Sequence, residues 1–168
     1  MPLVKANVIV SDDFVQVADD APLPDGAILI SATRLLADAE TILRRNGNTG
    51  VVWPNNRSVA ELVPYLGRLA VIALVFPTFR DGRAYTQARL LRERYGFEGE
   101  LRATGQVLRD QFVFMLRSGF DAFDVKKDSD AEAFCQVARR YSVVYQPTGD
   151  GRATAHDSRR ALQDEDAR

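Results

Sequence analysis

The chain has 168 residues, of which 46% are hydrophobic, and a formal net charge of −1 with a pI near 5.9. This length and composition are typical of one globular domain, and the near-neutral charge disfavours nucleic acid or a polybasic membrane contact as a partner. One cysteine, Cys135, and one histidine, His156, exclude a disulfide framework, a catalytic triad, a multi-histidine metal site and a four-cysteine iron–sulfur cluster within the domain.

We expect no secretory signal peptide and no membrane-spanning segment. Four aspartates between residues 12 and 20 interrupt any signal peptide, and the longest apolar run, Leu69–Pro77, is too short to cross a bilayer. We therefore expect a cytoplasmic protein that does not contact the membrane.

The N-terminal elements read as a β-hairpin. Asn7–Val10 and Phe14–Ala18 are short β-prone runs on either side of Ser11-Asp12-Asp13. After a proline-containing loop, compact apolar runs alternate with segments of helical periodicity. The predicted strands are Ala27–Ser31, Gly50–Pro54, Leu69–Phe76, Gly99–Ala103, Phe120–Val125 and Tyr141–Tyr145, and the predicted helices are Thr33–Arg45, a short one opening at Ser58, Ala84–Tyr95, Val107–Ser118 and Ser129–Arg140.

This alternation predicts an α/β fold with an open, mainly parallel, doubly wound sheet of the flavodoxin-like kind and an N-terminal hairpin. The same repeats could instead curl into a partial (β/α) barrel. Leu69–Phe76 is the most continuous apolar run and is expected at the sheet centre. We expect residues 1–147 to form a single domain and the polar residues 148–168 to be a disordered tail.

The loop after the central strand is the first candidate site, because ligands of such folds bind at the carboxyl ends of strands. It carries Arg80, Asp81, Gly82 and Arg83, followed by Thr86, at the start of a helix. Arginine beside free helical N–H groups is suited to bind a small anion. The alternative is that Asp81 caps the helix, Gly82 permits the turn and both arginines are solvated.

The next strand and loop add Arg102, Gly105, Arg109, Asp110 and Gln111. Arg102 lies in a predicted buried strand, where a charge needs a partner. Glu100 on the same face could supply it, and so could Asp81 or Asp110. We expect the arginines, with Gly105 and Gln111, to contribute to the anion site, and Asp81 or Asp110 to be the candidate general base.

Cofactor fingerprints are missing. Neither GxGxxG after a strand nor GxxxxGK[ST] occurs, so the usual dinucleotide and nucleoside-triphosphate motifs are absent. We expect no metal, iron–sulfur or haem site built from this chain's own residues, while a flavin, which needs no strict motif, stays open.

Four segments carry a resemblance to a known family: Phe76–Arg83, Ala88–Arg92, Gly99–Gln111 and Gly119–Phe123. There the sequence resembles a proteobacterial family of unknown function. Its members are commonly labelled as oxidoreductases of sulfite reduction and are often encoded beside the assimilatory sulfite reductase haemoprotein. Members typically read Gly-Tyr-Ser where this chain has Ala84-Tyr85-Thr86, and an aspartate where it has Gln106.

The resemblance implies a pathway rather than a mechanism. It suggests an accessory protein of assimilatory sulfite reduction that binds the sulfite reductase haemoprotein and possesses a small-anion site at the strand ends. Two alternatives stay open: an enzyme acting on a small anionic substrate, an oxidoreductase by the family's label, and a regulatory module that senses an anion.

Overall fold

The structure is a computed structural model that describes residues 2–6, 8–140, 143–148 and 152–166. Its strands are β1 (Leu3–Lys5), β2 (Val8–Val10), β3 (Val15–Gln16), β4 (Ile28–Ser31), β5 (Thr49–Trp53), β6 (Val71–Phe76), β7 (Glu100–Gly105) and β8 (Ala122–Asp124). Its helices are α1 (Ala32–Ala37), α2 (Ala39–Leu43), a 3₁₀ helix (Val59–Arg68), α3 (Arg83–Arg89) with a π-helical extension (Leu90–Arg94), a 3₁₀ turn (Arg109–Gln111), α4 (Phe112–Arg117), α5 (Asp128–Arg140) and α6 (Ala155–Asp166).

The strands form one sheet in the order β2-β1-β8-β7-β6-β5-β4-β3. Strands β3 to β8 are parallel neighbours, and β1 and β2 add an antiparallel hairpin beside β8. The α/β class, the mainly parallel sheet and the presence of an N-terminal hairpin are confirmed, and β6 lies near the sheet centre as predicted.

The doubly wound, flavodoxin-like strand order is wrong. A doubly wound sheet reverses its strand order at a switch point, whereas here every strand from β4 to β8 joins the same growing edge. Right-handed crossovers to one edge place the connecting helices on one face, as in a (β/α) barrel. The partial-barrel alternative therefore fits the structure.

A four-residue connection shows how strongly the sheet is curled. Strands β2 and β3 lie at opposite edges, yet only residues 11–14 join them. Eight strands in a flat sheet would separate these edges by about 34 Å. An extended chain from Val10 to Val15 spans at most about 18 Å. The sheet consequently curls into an open half-barrel whose edges approach each other.

Alternation along each strand divides the side chains between two faces. The helices cover the outer face and bury the main core there. Its strand residues include Ile28, Ile30, Val51, Trp53, Ile72, Leu74, Phe76, Leu101, Ala103 and Phe123. Phe112 of α4 contacts the rings of Phe123 and Phe134 at centroid distances of 4.6 and 4.5 Å, which fixes α4 and α5 to β8. The inner face has a smaller apolar cluster of Leu29, Val71 and Ala73.

The inner face also contains a buried ion-pair network centred on Arg102 of β7. The guanidinium donates to the Asp12 carboxylate through Nη1 and Nη2, at 2.6 and 3.0 Å, and to Glu100 through Nε at 2.8 Å. Lys5 of β1 binds the same Glu100 at 2.8 Å, and the Phe14 ring lies 5.7 Å from the guanidinium carbon. Of the three acids that the sequence offered as partners of Arg102, Glu100 is the one that binds it.

The second acid bound to Arg102 is one that the sequence did not suggest. Asp12 takes that place, rather than Asp81 or Asp110. Asp12 and Phe14 belong to the connection that crosses from one sheet edge to the other. The ion pair therefore fastens this crossing to a central strand.

The N-terminal segment differs from the sequence prediction, and the C-terminal segment contains a helix that the sequence did not indicate. The hairpin forms one strand earlier, between β1 and β2, and Val15–Gln16 instead pairs in parallel with β4. Within the predicted tail the chain forms α6, and Val144 makes an isolated parallel bridge with Thr154. The predicted strand Tyr141–Tyr145 lies partly outside the described residues, and the domain boundary at residue 147 stays a prediction. Among the described helices, none combines the length and apolar composition needed to cross a bilayer.

Replacing Arg102 should destabilise the fold far more than replacing Arg83. The Arg102 side chain is 3% exposed, and its loss leaves buried Glu100 with one cation fewer and frees the crossing segment, whereas the Arg83 side chain is 58% exposed. We expect Arg102→Ala to lower the free energy of unfolding by about 3 kcal/mol, and Arg83→Ala by less than about 1 kcal/mol. Urea denaturation measures both, and equal midpoints would contradict this role of Arg102.

Candidate functional site

Glutamine side chains join the loops that follow β6 and β7. The backbone N–H of Phe79 donates to Gln106 Oε1 at 2.9 Å, and Gln111 Nε2 donates to the carbonyl oxygen of Phe79 at 3.2 Å. The N–H of Gln106 also donates to the carbonyl oxygen of Phe76 at 2.8 Å. The two loops expected to form the site are thus side by side at the carboxyl edge of the sheet.

Gly105 makes this close approach possible. Its φ is +94°, and a Cβ atom at this position would lie 2.4 Å from the carbonyl oxygen of Phe76. Any other residue would combine a left-handed backbone with a backbone clash. Gly105 therefore shapes the site through its backbone alone.

Asp81 and Arg83 form a local ion pair. Arg83 donates to the carboxylate through Nε at 3.0 Å and through Nη2 at 2.7 Å, and its backbone N–H donates at 3.3 Å. The Arg83 guanidinium holds the pKa of the Asp81 carboxyl well below its usual range, and the same contact raises the pKa of Arg83. A carboxylate with so low a pKa is a weak general base.

The other residues predicted in these loops are exposed. Arg80, Gly82, Thr86, Arg109 and Asp110 all face solvent. The side chains of Arg80 and Arg109 make no hydrogen bond or ion pair with any residue that the structure describes. Gln111 is buried and holds the loop after β6.

Arg102 does not join this group. It pairs in register with Ala73, three residues before the end of β7, or about 10 Å along the strand from Gly105. Its side chain lies on the inner face and binds Asp12 and Glu100, whereas Arg83 binds Asp81. The two arginines share no acidic partner. The structure brings the loop residues of the predicted site together and separates Arg102 from them.

An open groove of about 900 Å³ lies beside the two loops, between α3, α4 and residues 143–148. Phe79, Phe114 and Tyr145 line it and are 52%, 68% and 87% exposed. The remaining lining residues are Tyr85, Arg89, Asp110, Gln111, Val113, Arg117, Ser118, Val143, Val144, Gln146 and Thr148.

The walls of the groove are of two kinds. One wall consists of helical residues of α3 and α4, where Tyr85 packs edge-on against Phe76 at 5.1 Å and burial raises the pKa of its hydroxyl. The opposite wall is residues 143–148. Arg117 donates to the carbonyl oxygen of Gln146, and the Val144 carbonyl accepts from the N–H of Ala155 at 2.7 Å.

Sequence reasoning missed most of this groove. In α4 the side chains of Phe112 and Met115 are buried in the core, whereas Phe114 is exposed. Phe114 was the residue that could have indicated the groove, because an aromatic side chain on the polar side of a helix is typical of a binding surface. Nothing in the sequence pattern indicated that residues 143–148 would pack beside α4.

Within the described parts of the chain, no three His, Cys, Asp or Glu side chains are grouped as a metal site.

Substituting Arg83 should raise the pKa of Asp81 toward its ordinary value. In the wild-type protein the Asp81 carboxyl carbon should show no titration between about pH 3 and pH 7, and in Arg83→Gln its titration should move up toward about pH 4. The stabilisation from this pair is present above the unfolded pKa of aspartate and is lost as the pH falls through the lower folded pKa. Carboxyl ¹³C NMR measures both titrations, and an unchanged Asp81 curve in the variant would refute this cause.

Comparison with known proteins identifies a family without assigning a role. Residues 50–156 match the family described as "Bacterial protein of unknown function", DUF934. This span includes both site loops, α3, α4 and the wall at residues 143–148. No curated protein and no solved structure matches the chain. The link to sulfite reduction stays a prediction. The matched span, which runs from β5 to the start of α6, shows that the chain belongs to this bacterial family of unknown function.

Proposed function

We propose that this protein is an accessory protein of assimilatory sulfite reduction that binds the sulfite reductase haemoprotein through its aromatic groove. The pathway comes from the family resemblance in the sequence. The exposed aromatic rings of the groove are the observation that favours docking. Contiguous exposed apolar surface is unfavourable in water and is typical of binding surfaces, where aromatic residues and arginine dominate the affinity.

The location of the groove supports the proposal. Four groove-lining residues lie within the segments that carry the resemblance: Phe79, Arg89, Asp110 and Gln111. Both candidate loops lie at its edge and are fastened to each other by Gln106 and Gln111. Two loops joined by hydrogen bonds beside an open apolar surface favour recognition of a partner.

Catalysis by the predicted acids is less well supported. Asp81 is bound by Arg83 and is a weak base, which leaves Asp110 as the candidate carboxylate lining the groove. Small-anion binding is the second candidate function. It is favoured by Arg80 and Arg109, which are exposed and have no acidic partner among the described residues.

Direct binding tests the docking proposal. Isothermal titration of the purified haemoprotein with this protein should show a complex, and Phe114→Ser should weaken it at least about tenfold, as expected for an aromatic residue central to an interface. Val63→Ser is the matched control, because Val63 is 45% exposed on the 3₁₀ helix and does not line the groove. Equal affinities for wild type and Phe114→Ser would reject the groove as the docking surface.

Growth tests the pathway. A strain lacking the gene should grow poorly with sulfate as its sole sulfur source and normally with cysteine. The wild-type gene should restore growth on sulfate, while the Phe114→Ser gene should not. Equal growth of the deletion strain on both sulfur sources would contradict a role in sulfite reduction.

A further inference from the structure

We infer that the groove binds an acidic segment of its protein partner, in which an aromatic or large aliphatic side chain is flanked by carboxylates. The inference rests on the proposed function, since it takes the groove to be a docking surface, and it adds the chemistry of the segment that docks.

Each aromatic residue that the loops and helices contribute is followed closely by an arginine. Arg80 is adjacent to Phe79 in the loop after β6. Arg89 lies four residues after Tyr85, and Arg117 three residues after Phe114. Residues three or four apart lie on the same side of a helix. The groove therefore presents apolar rings with guanidinium groups next to them.

The balance of charge around the rings favours an acidic partner. Asp110 is the acid among the described lining residues. Arg89 lines the groove as well, and so does Arg117, whose guanidinium already donates to the carbonyl oxygen of Gln146. Arg80 and Arg109 lie in the adjoining loops without acidic partners in the described chain. An acidic segment would complement this surface and speed the encounter with it.

The existing partner of Arg89 does not prevent such a contact. Arg89 binds Glu93 through an i,i+4 pair at 3.1 Å, with side chains 53% and 40% exposed. Exposed pairs of this kind contribute little to stability. A carboxylate of the partner can therefore replace Glu93 at small cost.

The size of the groove argues against a free sulfur oxyanion as its main ligand. A cavity of about 900 Å³ corresponds to a drug-sized ligand or several side chains, and is far larger than a tetrahedral oxyanion. A small anion would also leave Phe79 and Phe114 in water. A segment with both apolar and carboxylate side chains covers the rings and meets the guanidinium groups at once.

Two matched peptides test the inference. One is a labelled ten-residue peptide with central Phe and Leu flanked by Glu, and the other has Gln at every Glu position. Fluorescence anisotropy should show the Glu peptide binding at least about fivefold more tightly at low salt, because it makes several weak ion pairs. This advantage should shrink between about 50 and 500 mM NaCl, as screening increases.

Variants locate the binding. Phe114→Ser, Phe79→Ser and Arg89→Gln should each weaken the Glu peptide at least about threefold. Arg44→Gln should not, because Arg44 belongs to a similar exposed i,i+4 pair with Glu40 on α2, away from the groove. Both phenylalanines are more than half exposed, so either variant keeps the core intact.

Three results would overturn the inference: equal affinity for the two peptides, undiminished binding by both phenylalanine variants, or displacement by sodium sulfate that exceeds displacement by NaCl at equal ionic strength. The last would assign the arginines to a free oxyanion. Binding of the haemoprotein without a preference for the Glu peptide would defeat this inference alone. Peptide preference without haemoprotein binding would defeat only the proposed function.

Discussion

The ion pair between Arg102 and Asp12 is the contact on which the rest of the architecture depends. A guanidinium inside a curled sheet is costly unless acids surround it. One acid, Glu100, comes from the same strand, and the other comes from the short connection between the sheet edges. The same contact therefore neutralises the charge of Arg102 and holds the connection between the two sheet edges in place.

Local sequence patterns predicted most of the secondary structure, but they did not predict the order of the strands in the sheet. Apolar runs and helical spacing placed most strands and helices, including the central position of β6, because these signals depend on neighbouring residues. The choice of edge at each crossover has no local signature. The contact that enforces the curl joins residues 90 positions apart in sequence, Asp12 and Arg102. A stretch of two aspartates in a turn gave no indication of that partner.

The candidate site likewise has parts that the local sequence predicts and parts that depend on tertiary packing. Adjacency of the two loops followed from the adjacency of β6 and β7, and the pairing of Asp81 with Arg83 is local. The groove depends on tertiary packing of residues 143–148 and was missed. The presence of arginines in these segments could not by itself predict a binding site, because some arginines of this chain stabilise the fold and others are exposed to solvent. Arg102 and Arg92 are structural, with Arg92 bound to Asp121 and to the carbonyl oxygens of Gly99 and Gly119, whereas Arg80 and Arg109 are exposed.

The wall formed by residues 143–148 has a practical consequence. It belongs to no strand of the sheet and is held to the body by the bond from Arg117 to Gln146, while Val144 connects it to the start of α6. A shortened chain that stops after α5 would keep all eight strands and an ordinary circular dichroism spectrum. It would nevertheless lack residues 143–148, so the groove would lose one of its two walls. A normal circular dichroism spectrum of such a chain would therefore not show that it still binds the partner.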